Sequence, residues 1–289
     1  MKSAHLKPLS IKTFEIEENQ KFLDLLTVNQ PKINKNSLKS AILHLSPYKT
    51  SGRNLCENAF NCSKLCLHFS GQKMYHNAKF KARMRKSNIY NNNPNMFMKL
   101  LLLNICHLYK SKDIKNIRLN GTSDCDFLSN KIIINSELSS FIFARYGIHF
   151  CNSTYENIFD LFLSNNIIDL NFYDYTKILS EEKIKQSKLF KYDLTFSFDG
   201  WNNNKNLNLC NLALNNNIRV AACFKHVKKG ESFKDNIRFL NHCLKIEDGD
   251  SHDERYRNSN YCIIGLRFKR PQAFKVSQAY IDNFCIDTI

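Results

Sequence analysis

DLNFYDYTKILSEEKIKQSKLFKYDLTFSFDG, residues 169–200, is the stretch from which the architecture is read. Two alternating apolar runs, DLNFYDY (169–175) and YDLTFSF (192–198), flank EEKIKQSK (181–188), which has helical spacing. A strand, a helix and a second strand in so short a span form a parallel β/α unit, because the helix returns the chain to the same end of the sheet.

The same grammar extends in both directions. AILHLS (41–46), NIRLNG (116–121), IRVAACF (218–224), CLKIED (243–248) and CIIGLRF (262–268) read as further strands. HNAKFKARMRKSNIY (76–90), MFMKLLLLNICHLYK (96–110), ELSSFIFARYG (137–147) and NLNLCNLALNN (206–216) read as helices. So does TYENIFDLFLSNN (154–166), with Ser153 or Thr154 as its cap and Glu156 early in the first turn. The expected fold class is α/β: a partial or closed parallel β/α barrel of about seven strands with a cysteine-bearing loop after the first strand. A doubly wound sheet is the second arrangement. Residues 1–38, polar and lysine-rich, read as an N-terminal arm or cap, and residues 39–289 as a single β/α domain.

With 289 residues, 43% hydrophobic and 24% charged, the chain has the composition of a globular protein with a sizeable core. The net charge of +16 suggests a polyanionic partner, a nucleic acid or a nucleotide, although the abundance of Asn, Lys and Ile is also what an A+T-rich gene produces. No run approaches the ~18 apolar residues of a membrane span, so no membrane partner is expected. The N-terminus MKSAHLKPLSIKTFEIEENQ has no apolar core of a signal peptide. The expected compartment is therefore reducing and cytoplasmic, where clustered thiols mean metal or redox chemistry more often than disulfides. Most of the 11 cysteines, such as Cys106 and Cys223, lie in apolar runs and read as core.

Polar clusters close the strands in turn. PYKTSGRNLCENAFNCSKLCLHFSG follows the first, and NGTSD (120–124), YDYTK (173–177), SFDG (197–200) and DGDSHD (248–253) follow later ones. Parallel units bring such loops to one face. Cys56, Cys62 and Cys66, spaced C-x5-C-x3-C, are the expected metal ligands. They suit three corners of a [4Fe–4S] cluster with one iron open to a substrate or cofactor. The alternative is zinc, with His68 or His76 as fourth ligand. Asn120, Ser123, Asp124 and Ser197 are the candidate cofactor-binding groups. Asp174, Tyr175, Lys177 and His252 are the candidate catalytic ones. Strand alternation puts Tyr173 and Tyr175 on one face and Asp174 on the other. Asp248, Asp250 and Asp253 form an acidic loop able to hold a divalent cation or, with His252, to do acid/base work. Arg83, Arg85 and Lys86 form a basic helix face for phosphates.

A cysteine loop after the first strand resembles, in layout, the place where radical S-adenosylmethionine enzymes keep their cluster, although those have C-x3-C-x2-C. The motifs together resemble the phage "gene product eighty-eight" family over about residues 45–270: SGRNLCENAFNCSKLCLHFSG, KARMRKSNIY, RLNGTSD, FYDYTK, YDLTFSFDG and DGDSHDERY followed by IIGLRFK. In that family a glycine and a basic helix follow the cysteine loop, here Gly71 and the helix with Lys81, Arg83, Arg85 and Lys86. Glu57-Asn58 and Phe60-Asn61 depart from the proline and small residues usual there, without removing a ligand. The resemblance implies a phage or prophage-like source, and hence the host cytoplasm. The layouts together imply an iron–sulfur enzyme of the radical S-adenosylmethionine kind, acting on a nucleic acid, a nucleotide or another phage or host target. A zinc-stabilised nucleic-acid-binding protein and a metal-dependent nuclease built on the acidic loop are the alternatives.

Overall fold

The computed structural model describes residues 25–69, 77–167, 169–271 and 275–287. The expected arm falls largely on residues 1–24, outside that set. Its described part supplies the edge strand β1 (Leu26–Thr27), antiparallel to β2 (Ser40–Leu43). The cysteine loop then leads through the short α1 (Asn61–Lys64) to α2 (Asn77–Asn92) and α3 (Pro94–Lys112), and the chain re-enters the sheet as β3 (Asn116–Arg118). Next come β4 (Ile132–Ile134), α4 (Ser136–Tyr146), β5 (Ser153–Tyr155) and α5 (Ile158–Ser164). The central unit is β6 (Asn171–Thr176), α6 (Glu181–Leu189) and β7 (Tyr192–Ser197), followed by α7 (Asn204–Asn215) and β8 (Val220–Phe224). The hairpin β9 (Asn236–Phe239) and β10 (His242–Asp248), then β11 (Cys262–Arg267) and α8 (Gln278–Phe284), complete the chain.

Nine strands form one sheet in the order β1-β2-β3-β6-β7-β8-β11-β10-β9. The seven from β2 to β10 run parallel to their neighbours, and β1 and β9 pair antiparallel at the two edges. The large, mostly parallel sheet is as expected, and its closure into a barrel is not: among the described residues no pairing joins β1 to β9. The edge strands end the parallel ladder, leaving no parallel partner to close it.

The strand order rises steadily from β2 to β8, so right-handed crossovers place the intervening helices on one face. Apolar residues at alternate strand positions line that face. Leu43, Ile117, Leu119, Phe172 and Leu194 pack with Leu101 and Ile105 of α3, Ile142 of α4 and Phe159 and Phe162 of α5. Phe196, Val220, Ala222 and Ile263 pack with Ala213 and Leu214 of α7 in a second core. Phe159 stacks on Tyr192 at 4.1 Å and meets Phe172 edge-on at 5.1 Å; each such buried ring contributes ~1.5–3 kcal/mol by burial alone.

The other positions face away from these helices. Ser40 pairs with Asn116, Asn116 with Asn171, Tyr173 with Asp193, and Tyr175 with Thr195. From β2 to β7 this face is polar, unlike either face of a doubly wound sheet, while over β8 and β11 Ala221, Cys262 and Ile264 form a small apolar cluster. Residues 249–258 cross it and bury Asp253 and Glu254 on it. The Glu254 carboxylate accepts from Ser37 N (2.8 Å), Leu38 N (3.0 Å), Asn116 Nδ2 (2.9 Å) and Arg257 Nη1 (3.0 Å).

Residues 154–166 were expected as one helix and are not. Thr154 and Ser153 pair with Ile133 and Ile134 across the small β4–β5 ladder. The helix begins only at Ile158, where Asn157 Oδ1 accepts from Asp160 N at 2.9 Å. Cross-strand pairing of the Ser-Thr-Tyr run decides against Ser153 or Thr154 as the cap.

Candidate functional site

The loops after β2, β3, β6 and β7 meet at the carboxyl ends of the parallel strands. Their anchor is Asp199, in SFDG beyond β7, whose side chain is fully buried. Its Oδ2 accepts from Phe60 N (2.8 Å) and Asn61 N (3.1 Å), and its Oδ1 from Cys62 N (2.7 Å). One carboxylate thus satisfies the exposed N–H groups opening α1 and seats Cys62 over the sheet. Gly200 makes this possible. It has φ +104°, and a Cβ there would meet Asn61 Nδ2 at 2.4 Å, an atom that instead donates to Asp199 O and to Asn202 Oδ1 (2.8 Å).

Asp124, after β3, ties three loops together. Its carboxylate accepts from Thr176 Oγ1 and Lys177 N, both at 2.8 Å, and its own N–H donates to Leu55 O at 2.8 Å in the cysteine loop. Lys177 O accepts from Asn58 Nδ2 at 3.0 Å. The Lys177 ammonium lies among Cys62, Asp199, Asp124 and Cys56. Burial alone would lower its pKa, but those partners outweigh it and the pKa is raised. Burial raises the Cys62 thiol, against the pull of Lys177, which hydrogen-bonds it. Burial also pushes Cys56 up to about 11, although Tyr48 N donates to its Sγ at 3.3 Å.

Asp174 points to the other face from Tyr173 and Tyr175, as alternation requires. It is fully buried and accepts from Leu119 N (3.1 Å), Asn120 N (2.7 Å) and Tyr192 Oη (2.6 Å). Burial raises its pKa to about 7 against these donors and Arg118. Asp174 is not among the main charges acting on Lys177. Tyr175 lies under the Arg118 guanidinium, whose carbon is 4.5 Å from the ring centroid.

Asn120 and Ser123 are engaged within their own loop: Asn120 Oδ1 accepts from Cys125 N (2.8 Å) and Ser123 Oγ (3.0 Å). Ser197 is half-buried, and its carbonyl accepts from Asn206 Nδ2 at 3.1 Å.

The acidic loop divides. Asp248 holds Arg267 in a fork (2.9 and 3.0 Å), and Asp250 accepts from the same residue's N (3.1 Å) and Nη1 (3.2 Å). Asp253 turns onto the polar face, to Lys32 Nζ and Arg118 Nη1, both at 3.0 Å. His252 is half-buried, and its pKa is lowered by burial and by Arg255 and Arg257. On α2, Arg83 and Lys86 are buried and Arg85 is exposed, so the three do not share a solvent face. Lys86 Nζ donates to Leu25 O at 2.6 Å.

The three loop cysteines have different partners. Cys56 Sγ turns to Tyr48 N, Cys62 to Lys177, and Cys66 lies near enough to Arg83 to act on its charge. Among the described residues no three His, Cys, Asp or Glu side chains are grouped to hold a metal ion. His76 and the side chain of His68 lie outside those residues. Trp201 is 40% exposed and lines a cavity of about 550 Å³, with its ring against Phe198 and Phe239.

Sequence reasoning missed Asp199, Arg118 and Glu254. Asp199 carried a signal, an Asp-Gly directly after an apolar strand, which reads equally well as a turn. Among the described residues no helix is long and apolar enough to cross a membrane. No curated protein and no solved structure matches the chain. The family model described as Gene product 88 matches residues 20–285, in agreement with the motif order, and the chain belongs to that family.

Proposed function

We propose that this protein is a β/α enzyme of nucleotide or nucleic-acid chemistry, working at the carboxyl ends of its parallel strands beneath the cysteine loop. The observation that carries the reading is the seating of Cys62 by Asp199, beside Lys177 and Asp124, with bonds from each neighbouring loop. A purely structural turn does not need a half-buried lysine and two buried acids around a thiol. In this reading Lys177 supplies positive charge or a proton to a bound anion, and Cys62 is the group next to it. The charge of +16 favours a polyanionic substrate.

The second reading adds a metal centre on Cys56, Cys62 and Cys66, favoured by the presence of three thiols on the one loop that overhangs the site. As placed, the thiols do not converge, so no chemical step is derived from a [4Fe–4S] cluster, S-adenosylmethionine or zinc. Loading would require the loop to draw Cys56 and Cys66 toward Cys62. Anaerobic purification with iron, sulfide and zinc analysis decides it, with Cys62→Ala as control. About four irons per chain with a brown colour lost in the variant supports the cluster. One zinc and no colour makes the loop a structural clasp. Protein free of both leaves Lys177 and Cys62 as the reactive groups, and the metal-centre reading fails.

A further inference from the structure

Arg255 is a buried cation without an acid. It opens the turn Arg255–Arg257 in the segment that crosses the polar face, and it is fully buried. Its hydrogen bonds go to main-chain carbonyls alone: Nε to Asp253 O (3.4 Å), and Nη2 to Gly249 O (3.3 Å) and His252 O. Its Nη1 has no partner, and among the described residues no carboxylate pairs with it. Burying a guanidinium with carbonyl acceptors only is costly, and such a group is normally matched by an anion.

Other polar atoms on this face share its state. Arg118 Nε, Tyr175 Oη and Thr195 Oγ1 are buried without a hydrogen-bond partner, and Thr195 is fully buried. Tyr175 and Thr195 are register partners on β6 and β7, and Arg118 lies over the Tyr175 ring. The turn bearing Arg255 packs on both of these strands, and its charge is felt by Lys32 and Asp193. The cations Lys32, Arg118, Arg219, Arg255 and Arg257 outnumber the acids Asp193, Asp253 and Glu254 by two. Asp174, 3.8 Å from Arg118 Nε, can offset one at most. Lys32, 38% exposed, marks the side open to solvent.

We propose that this face binds the phosphate dianion of a small phosphorylated ligand, with Arg255 Nη1, Arg118 Nε, Tyr175 Oη and Thr195 Oγ1 as its donors. The site stands independently of the cysteine loop, and metal content does not enter its test. A dianion matches the excess charge, and its oxygens are the acceptors that such donors lack.

The test is calorimetric titration of the full chain, at fixed ionic strength and in phosphate-free buffer, with inorganic phosphate and with a nucleoside 5′-monophosphate. Saturable binding of either is expected. Arg255→Gln should weaken it about 10- to 100-fold, the loss expected for a hydrogen bond to a charged group. Thr195→Val should weaken it several-fold. Tighter binding of the nucleotide identifies a nucleotide as the source of the phosphate, and equal or tighter binding of inorganic phosphate identifies the free ion. Should Arg255→Gln fail to fold, Thr195→Val and Tyr175→Phe carry the test. Absence of binding by the folded wild type, or unchanged affinity in all the folded variants, overturns the proposal.

Discussion

Asp199 shows how one side chain can hold a site together. Its carboxylate receives three consecutive backbone N–H groups, so Asp199→Ala would leave three donors at the start of α1, one buried and two part-buried, without an acceptor. Each unsatisfied buried donor costs ~1–3 kcal/mol, with part recovered as the loop relaxes to meet water. The expected loss on urea denaturation is about 2–4 kcal/mol. A second readout is local: once released, Cys62 should be alkylated faster, as mass spectrometry of its peptide would show, while Cys106, on the fully buried side of α3, should not change. Equal alkylation of Cys62 in both proteins would mean that Asp199 does not seat it. The acid was hard to find in the sequence because Asp-Gly after a strand describes a tight turn and an anchoring carboxylate equally well. Lys177 and Asp124 could be found by position alone, each at the end of a parallel strand.

At the scale of elements, periodicity decided most of the outcome. DLNFYDY and YDLTFSF alternate, and they became β6 and β7 with successive residues on opposite faces. Alternation failed for residues 154–166, where a three-residue strand precedes a helix of seven and both signals overlap. The cap that wins is Asn157, which is buried and also donates from Nδ2 to Leu128 O at 3.3 Å. Asn157→Ala should cost ~1–2 kcal/mol and speed hydrogen exchange over residues 158–164 ahead of the rest of the chain. A uniform increase across all helices would indicate global loosening instead and would remove Asn157 from its role as cap. The small ladder itself was missed because KIIIN is too short to separate from loop by pattern. The partners of the polar face were beyond any local reading: Glu254 meets Ser37 across 217 residues, a pairing that only the topology creates.

Across the whole molecule, buried acids of opposite behaviour set the dependence of stability on pH. Burial would raise Glu254, but the N–H groups of Ser37 and Leu38 together with Arg257 hold it down at about 2, below its ordinary 4.5. Its contribution is complete above pH 4.5 and is lost as pH falls toward 2. Asp174 is the reverse. Burial lifts it from 3.8 to about 7, so the folded protein holds a proton that the unfolded chain has released. The stability arising from that proton is full below pH 3.8 and is lost as pH rises through about 7. Between pH 4.5 and 7, Glu254 is constant and Asp174 slopes downward, while the lowered His252 slopes upward below its ordinary 6.5. The comparison that isolates Asp174 is therefore wild type against Asp174→Asn. The amide places an N–H donor against Leu119 N or Asn120 N, which imposes a loss independent of pH. The sloping part has to vanish with the carboxyl. Urea denaturation at intervals from pH 4.5 to 8 should show the wild-type advantage over the variant shrinking steadily toward pH 7 and then levelling off. An advantage that is constant over the range would mean that Asp174 remains ionised throughout, held by Arg118 and its three hydrogen-bond donors. Arg118 would then have a full charge partner in Asp174, and the polar face would carry one excess cation rather than two.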